Sequence, residues 1–271
     1  MKCVFTLAGN NPQYVEMTKV LVVSSYINSS LELYCLYDGD DEELVRWLQS
    51  WKVKVLPWRV TFYQDLVKCY KGTKSLQFCA GTYLCTEIAL ALRTYNIEDQ
   101  YVLYIDTDTM ILNDLRFDSL KPEYYAAPPD WDQSDWSFVS AGVMFLNVEK
   151  LFKDYPNFLA YMYSHNFDFD FAGHGGADQG AWNTFYEGRW CNLSPEFDWK
   201  PWWGFNPGAL IVHFSGPKPR QLFDLLRRPV DAPDDPMSRR IATFVVNQDL
   251  DAFQIYLQIW LEYSTVIDSI P

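Results

Sequence analysis

Strand-like and helix-like segments alternate through the first 105 residues, and this alternation leaves few architectures open to the chain. Cys3–Leu7 reads as a strand and, after a loop at Gly9–Gln13, Tyr14–Tyr26 as a helix. Leu31–Tyr37 is a second strand. Asp38–Asp41 is a turn whose acids suit the positive end of a following helix, Glu42–Trp51. Val53–Leu56 is a short strand, Ser75–Tyr95 a long helical stretch with Leu84, Ile88 and Leu92 on one face, and Tyr101–Ile105 another strand. Such alternation predicts an α/β fold, with a mainly parallel central sheet and helices on both faces.

The last of these strands ends unusually. Val102 to Ile105 run straight into Asp106 and Asp108, one residue apart. A buried strand does not end in two acids without cause, because burying a charge is costly unless it is paired or bound to a metal. The exposed carboxyl end of a sheet strand, where α/β folds bind ligands, accommodates the pair. Residues i and i+2 of a strand share a face. Two carboxylates so placed make a hard-oxygen site for Mg²⁺ or Mn²⁺. Alone, Asp-Thr-Asp also suits a turn or a helix cap.

Beyond this strand, Tyr124–Ala127, Val143–Asn147 and Leu210–Phe214 read as strands. Val148–Ser164, Asp178–Tyr186 and Arg239–Tyr263 read as helices. Trp190–Pro207 reads as loop, and Pro217–Pro236 shows no clear element. The formal net charge of −13 argues against a nucleic-acid backbone or an anionic membrane as main partner. The six cysteines form no C-x-x-C and no disulfide or zinc pattern. The N-terminus has no long apolar run, and no stretch approaches a membrane span. The expected compartment is therefore reducing and cytoplasmic.

Three later segments complement the acidic pair. In Ser140–Leu151, SAGVMFLNVEKL, small residues lead into a strand and allow close backbone approach to a ligand. In Gly173–Tyr186, GHGGADQGAWNTFY, a glycine-rich loop delivers Asp178 and Gln179 to a helix start. In Ile211–Arg220, IVHFSGPKPR, a strand ends at His213, and Gly216 and Lys218 follow. His213 can complete an O,O,N metal site with Asp106 and Asp108, and Lys218 can act as a point cation on a phosphate.

Together these segments resemble glycosyltransferase family eight, which includes glycogenin, galactinol synthase and bacterial lipopolysaccharide galactosyltransferases. The matching pieces are TLAGNNPQY, Y-I-D-T-D-T, S-A-G-V-x-x-L-N, G-G-A-D-Q-G-x-x-N-T-F and H-F-S-G-P-K-P. They stand in the family's order from Thr6 to Pro219. The resemblance implies a GT-A fold in residues 1–220, with residues 221–271 a C-terminal extension packed on the same domain. It implies a retaining enzyme that moves glucose or galactose from a UDP-sugar to a hydroxyl acceptor: a glycan, a small polyol or a glycoprotein. Asp106, Asp108 and His213 would hold Mn²⁺, or Mg²⁺. Gly216 and Lys218 would contact the phosphates, Leu7, Asn10 and Tyr14 the uridine, and Asp178 and Gln179 the donor sugar.

Three positions depart from the family. Its basic residue on the helix before the acidic strand has no counterpart in Thr86–Leu92, although Arg93 lies just beyond. Its usual Asn is Ser140, and its K-P-W ending is Lys218-Pro219-Arg220. Two alternatives remain at this point. A haloacid dehalogenase-type phosphatase would use Asp106 and Asp108 as nucleophile and acid/base, but it needs a late acidic pair after a strand, and Asp234-Asp235 lies between prolines instead. A non-catalytic protein would keep only sugar-nucleotide binding. Trp190, Trp199, Trp202 and Trp203 lie between two site segments, and Trp202 or Trp203 is expected at the acceptor.

Overall fold

The computed structural model of the protein describes residues 1–69, 76–117, 120–169, 178–227 and 250–267. In chain order its strands are β1 (Lys2–Ala8), β2 (Glu32–Asp38), β3 (Lys54–Pro57), β4 (Tyr101–Ile105), β5 (Thr109–Ile111), β6 (Tyr125–Ala127), β7 (Val143–Asn147), β8 (Cys191–Asn192) and β9 (Ile211–His213). The chain divides into two compact units. The first comprises Met1–Asn11, Leu31–Thr107 and Arg116–Ser194, the second Pro12–Ser30, Asp108–Leu115 and Pro195–Pro271.

The first unit holds a seven-stranded sheet in the order β3-β2-β1-β4-β7-β6-β8. β1 pairs in parallel with β2 and β4, β2 with β3, and β6 with β8. β7 runs antiparallel to both of its neighbours. The mixed α/β fold with a mostly parallel sheet, expected from the alternation, is therefore present. Cys3, Val4, Phe5, Leu7 and Val102 to Ile105 are all buried, the continuous apolar run that a parallel strand requires. The antiparallel β7 sets its own N-terminal end beside the end of β4: Val143 stands opposite Ile105, and Asp106 N–H donates to the Gly142 carbonyl at 2.7 Å.

Two departures from expectation lie in this unit. Tyr63–Cys69 is a helix the sequence did not announce. The stretch expected as one helix from Ser75 to Tyr95 breaks into Leu76–Tyr83, a 3-10 turn at Leu84–Glu87, and Ile88–Thr94. At the break Glu87 is wholly buried. Its carboxylate accepts from Trp58 Nε1 at 2.9 Å, from Thr61 N–H at 3.0 Å, and from Tyr155 OH, so the buried charge has its partners. Much of the aromatic content is core. The rings of Tyr125, Phe158, Trp182 and Tyr186 pack together, mostly edge-on or tilted, as do those of Phe62, Tyr83 and Phe167.

In the second unit the helix Pro12–Asn28 packs against β5 and against the helix Leu250–Val266. Asn28 ties the three together, donating to the Ile111 carbonyl at 2.9 Å and to Tyr263 OH at 2.6 Å. β5 pairs antiparallel with β9, Thr109 opposite His213. The C-terminal helix begins at Leu250 among the described residues; its expected earlier turns, from Arg239, lie outside them. The stretch after Pro217, which carried no clear signal, opens with a helix, Pro219–Arg227. Proline at a first helical position is tolerated because that N–H lacks an intrahelical partner anyway. The expected loop Trp190–Pro207 contains β8 and two 3-10 turns, Pro195–Asp198 and Pro201–Trp203.

Candidate active site

The first unit brings the end of β4 together with the helix Asp178–Phe185. Tyr104 OH donates to Asp106 Oδ1. The Cys85 thiol donates to Asp178 Oδ2 at 3.2 Å. Burial pushes the Asp178 carboxyl up to about 6, against smaller opposing pulls from the Cys85 thiol and the backbone N–H groups of Asp178 and Gln179. Gln179 is held at both ends of its amide: Oε1 accepts from Ala141 N–H at 3.0 Å, and Nε2 donates to Asp130 Oδ2 at 3.0 Å. One turn on, Asn183 exchanges two 2.8 Å hydrogen bonds with the Val139 backbone. Gln179 and Asn183 are i, i+4 neighbours, so one helix face clamps residues 139–141. Gly180 lets the same helix lie close to Phe169, since a Cβ there would lie 2.5 Å from the Phe169 carbonyl oxygen. The Gly173–Gly176 cluster lies outside the described residues.

The second unit gathers buried charge around the end of β9. Asp108 Oδ2 accepts from Lys218 Nζ, which also donates to the Phe214 carbonyl at 2.9 Å. His213 Nε2 lies 3.2 Å from Asp108 Oδ1, and His213 Nδ1 lies 2.7 Å from Asp198 Oδ1. Lys200 Nζ stands 2.5 Å from Asp198 Oδ2. Asp198 and Lys200 are both fully buried. Burial works to raise both aspartate carboxyls, but Lys218 and His213 hold Asp108, and Lys200 and His213 hold Asp198, well below the usual carboxylate range. Burial pulls His213 down, yet the two carboxylates flanking it push it up to about 10.

Asp106 and Asp108 flank Thr107, where the chain passes from one unit to the other. Asp106, Asp108 and His213 each offer one ligand atom, and these atoms lie within 4.8 Å of one another. The donor set of two carboxylates and one imidazole suits a divalent cation such as Mn²⁺ or Mg²⁺.

The remaining sequence-chosen residues fall as follows. Leu7 is buried in β1, and Asn10 is exposed just after it. Tyr14 is half-buried in the first turn of the helix Pro12–Asn28. Gly216 is exposed, between β9 and Lys218. Arg93 sits in the last turn of its helix and has Glu149 as an electrostatic partner.

Sequence reading missed five side chains of these networks: Cys85, Tyr104, Asp130, Asp198 and Lys200. Tyr104 and Cys85 look like ordinary core residues, and Asp198 and Lys200 lie in a stretch without periodicity. Asp130 carried one usable signal, an acid directly after the apolar strand β6 and two prolines. Beside it opens a cleft of about 460 Å³ lined by Trp131, Asp132, Asp135, Ser137 and Phe138. Trp131 is 54% exposed. Of the four later tryptophans, Trp199 is buried, and Trp190, Trp202 and Trp203 are half-buried. Among the described residues no helix is long and apolar enough to cross a membrane.

No protein-family model matches the chain, and no curated protein matches it. Solved structures do. The galactosyltransferase LgtC, in complex with donor and acceptor sugar analogues, matches with a TM-score of 0.64 at 16% identity, over 100% of this chain and 98% of that one. The glycosyltransferase GlyE of Streptococcus pneumoniae TIGR4 matches with a TM-score of 0.63 at 16% identity, over 98% of this chain and 61% of that one. The chain thus spans about three-fifths of the length of GlyE. Mouse xyloside xylosyltransferase 1 matches with a TM-score of 0.55 at 14% identity, over 79% of this chain and 98% of that one. At these identities the likeness shows the fold, and the fold is that of GT-A glycosyltransferases such as LgtC.

Proposed function

We propose that the protein is a metal-dependent, retaining glycosyltransferase that moves glucose or galactose from a UDP-sugar to a hydroxyl acceptor. The observation that carries this reading is the Asp106, Asp108 and His213 cluster at the end of a sheet strand, on a fold shared with solved glycosyltransferases. Mn²⁺, or Mg²⁺, held by these three side chains would supply Lewis-acid stabilisation of the nucleotide diphosphate leaving group. Residues 1–220 would form the catalytic domain and residues 221–271 its extension. The cysteines among the described residues are unpaired, which favours a cytoplasmic site of action.

The chain's own residues have distinct tasks in this scheme. Lys218 would place a point charge on a phosphate, with the Gly216 backbone beside it. Leu7, Asn10 and Tyr14 would hold the uridine. Asp178 would orient the donor sugar, and its raised pKa leaves it able to donate or to accept a hydrogen bond near neutral pH. Gln179 has its amide fixed by Ala141 and Asp130. An amide so bonded is a poor nucleophile. A front-face attack by the acceptor, with a phosphate oxygen taking its proton, fits these residues better than a covalent intermediate on Gln179. Trp202 or Trp203 would line the acceptor. The open cleft with Trp131 and two carboxylates is a second surface of the chemistry that holds sugar rings.

The test is a screen of UDP-sugars for hydrolysis with Mn²⁺, with Mg²⁺ and with chelator. Release of UDP from UDP-glucose or UDP-galactose that needs the cation is the expected result. A phosphoenzyme formed on Asp106 would instead support the phosphatase chemistry, and no turnover with retained UDP binding would support a non-catalytic binder.

A further inference from the structure

We infer that Asp198 and Lys200 are positioning residues that set His213 as a ligand for a divalent cation; this rests on the metal-site reading above. The placement begins in the backbone. Trp199 bridges Val212 in parallel, its N–H donating to the Ile211 carbonyl and its carbonyl accepting from His213 N–H, both at 2.9 Å. Residues 198 and 200 flank this clamp, and neighbours at i and i+2 in extended chain share a face. Asp198 and Lys200 therefore turn to the same side, and Asp198 meets the ring of His213.

Each atom of Asp198 then has one use. Oδ1 takes Nδ1–H of His213, which leaves Nε2 facing Asp108. Oδ2 is engaged by Lys200, so Asp198 cannot swing round and compete as a ligand itself. Lys200 is in turn lodged 4.7 Å from the centre of the Trp203 ring, and Trp203 packs edge-on against Trp199. A carboxylate on the far nitrogen of a ligating histidine fixes its tautomer and ring orientation and raises its basicity. The burial of this ion pair follows from that task. Two charges placed here for stability alone would do about as well as apolar side chains of similar volume.

The experiment titrates Mn²⁺ into the full-length protein with UDP present and reads free Mn²⁺ by electron paramagnetic resonance. Asp198→Asn should weaken Mn²⁺ binding about ten- to a hundredfold, the range usual for losing such a partner. UDP binding without added metal, read by calorimetry, should stay within about twofold of wild type, which a general loss of structure would not allow. In a His213→Ala background Asp198→Asn should have no further effect on Mn²⁺ binding. Asp198→Leu with Lys200→Met removes both charges together, keeps the site packed, and should weaken Mn²⁺ binding as Asp198→Asn does. The inference is overturned if both folded variants bind Mn²⁺ as wild type does. It is also overturned if the effect of Asp198→Asn persists undiminished without His213. A wild-type protein that binds no Mn²⁺ at all would remove the metal-site reading itself, and this inference with it.

Discussion

Two aspartates, half-buried Asp178 of the first unit and buried Asp108 of the second, live under opposite electrostatic regimes. Asp108 has Lys218 on one oxygen and His213 on the other, and its carboxyl is held low. Asp178 meets a thiol and the N–H groups of its own helix start, and its carboxyl is pushed up to about 6. A matched buried acid is part of the scaffold that holds it. An acid left under-matched in an otherwise well-satisfied fold marks a place where function overrides stability. The difference separates an acid whose charge is fixed by two cationic partners from one whose protonation can change near neutral pH.

Removing a carboxylate from each unit at the proposed metal site should have the largest effect. Asp106→Asn and Asp108→Asn should each lower metal-dependent sugar release by about a hundred- to a thousandfold, the usual loss when transition-state charge is no longer stabilised. Their stabilities should diverge. Asp108→Asn leaves Lys218 and His213 without a full counter-charge, so its melting temperature should fall further than that of Asp106→Asn. Near wild-type activity in either variant would sink the metal-site reading. Equal melting temperatures would show that Asp108 is less embedded than its contacts indicate.

Lys218→Ala comes next. It should weaken UDP binding roughly ten- to a hundredfold, since charge-assisted contacts contribute about 1.5–3 kcal/mol. Unchanged binding by calorimetry would confine Lys218 to its role beside Asp108.

Asp178→Asn tests the under-matched acid through pH. Between its ordinary 3.8 and about 6, the folded protein keeps a proton that the unfolded chain has released. Stability therefore falls as pH rises through that window, and the deficit persists above it. The Asn variant should be more stable than wild type by roughly 1–3 kcal/mol at pH 7, allowing for partial exposure, and no more stable near pH 4. It should also lose transfer activity. A variant less stable at pH 7 would show that Asp178 is structural.

The smallest effect concerns the acceptor. Trp202→Ala or Trp203→Ala should lower transfer more than hydrolysis by about fivefold, the scale of one aromatic contact of ~1 kcal/mol. Trp131→Ala offers the contrasting arm: a selective loss there alone would move the acceptor to the cleft beside Asp130.

The half of the site that was legible in the sequence was legible for a physical reason. Val102–Ile105 had to be buried, so Asp106 and Asp108 at its end were conspicuous, and His213 closed an apolar run in the same way. Asp198 and Lys200 could not be found like this. Their partner is 13 to 15 residues away across prolines and tryptophans that obey no period, and only the clamp of Trp199 on β9 brings them to it. β5 was hidden because three residues directly after two acids look like a turn. The helix Pro219–Arg227 was hidden by its prolines, although Pro219 was a start signal. The parallel strands β1, β2 and β4 were plain throughout, because a strand covered on both faces must be apolar along its length.

The antiparallel course of β7 bears on how this chain can tolerate changes in length. Its register with β4 runs from Tyr101 opposite Asn147 to Ile105 opposite Val143. Deleting one residue within β7 would exchange its two faces and carry Ala141 away from Gln179. The segment between Pro129 and Val139 is different, because the bridge joining those two residues closes it off at its base. Residues can be inserted or lost between Trp131 and Ser137, beyond the Asp130 that holds Gln179, while the strands on either side keep their places. Changes of length there would reshape the cleft around Trp131 and leave Asp106 and Gln179 unmoved.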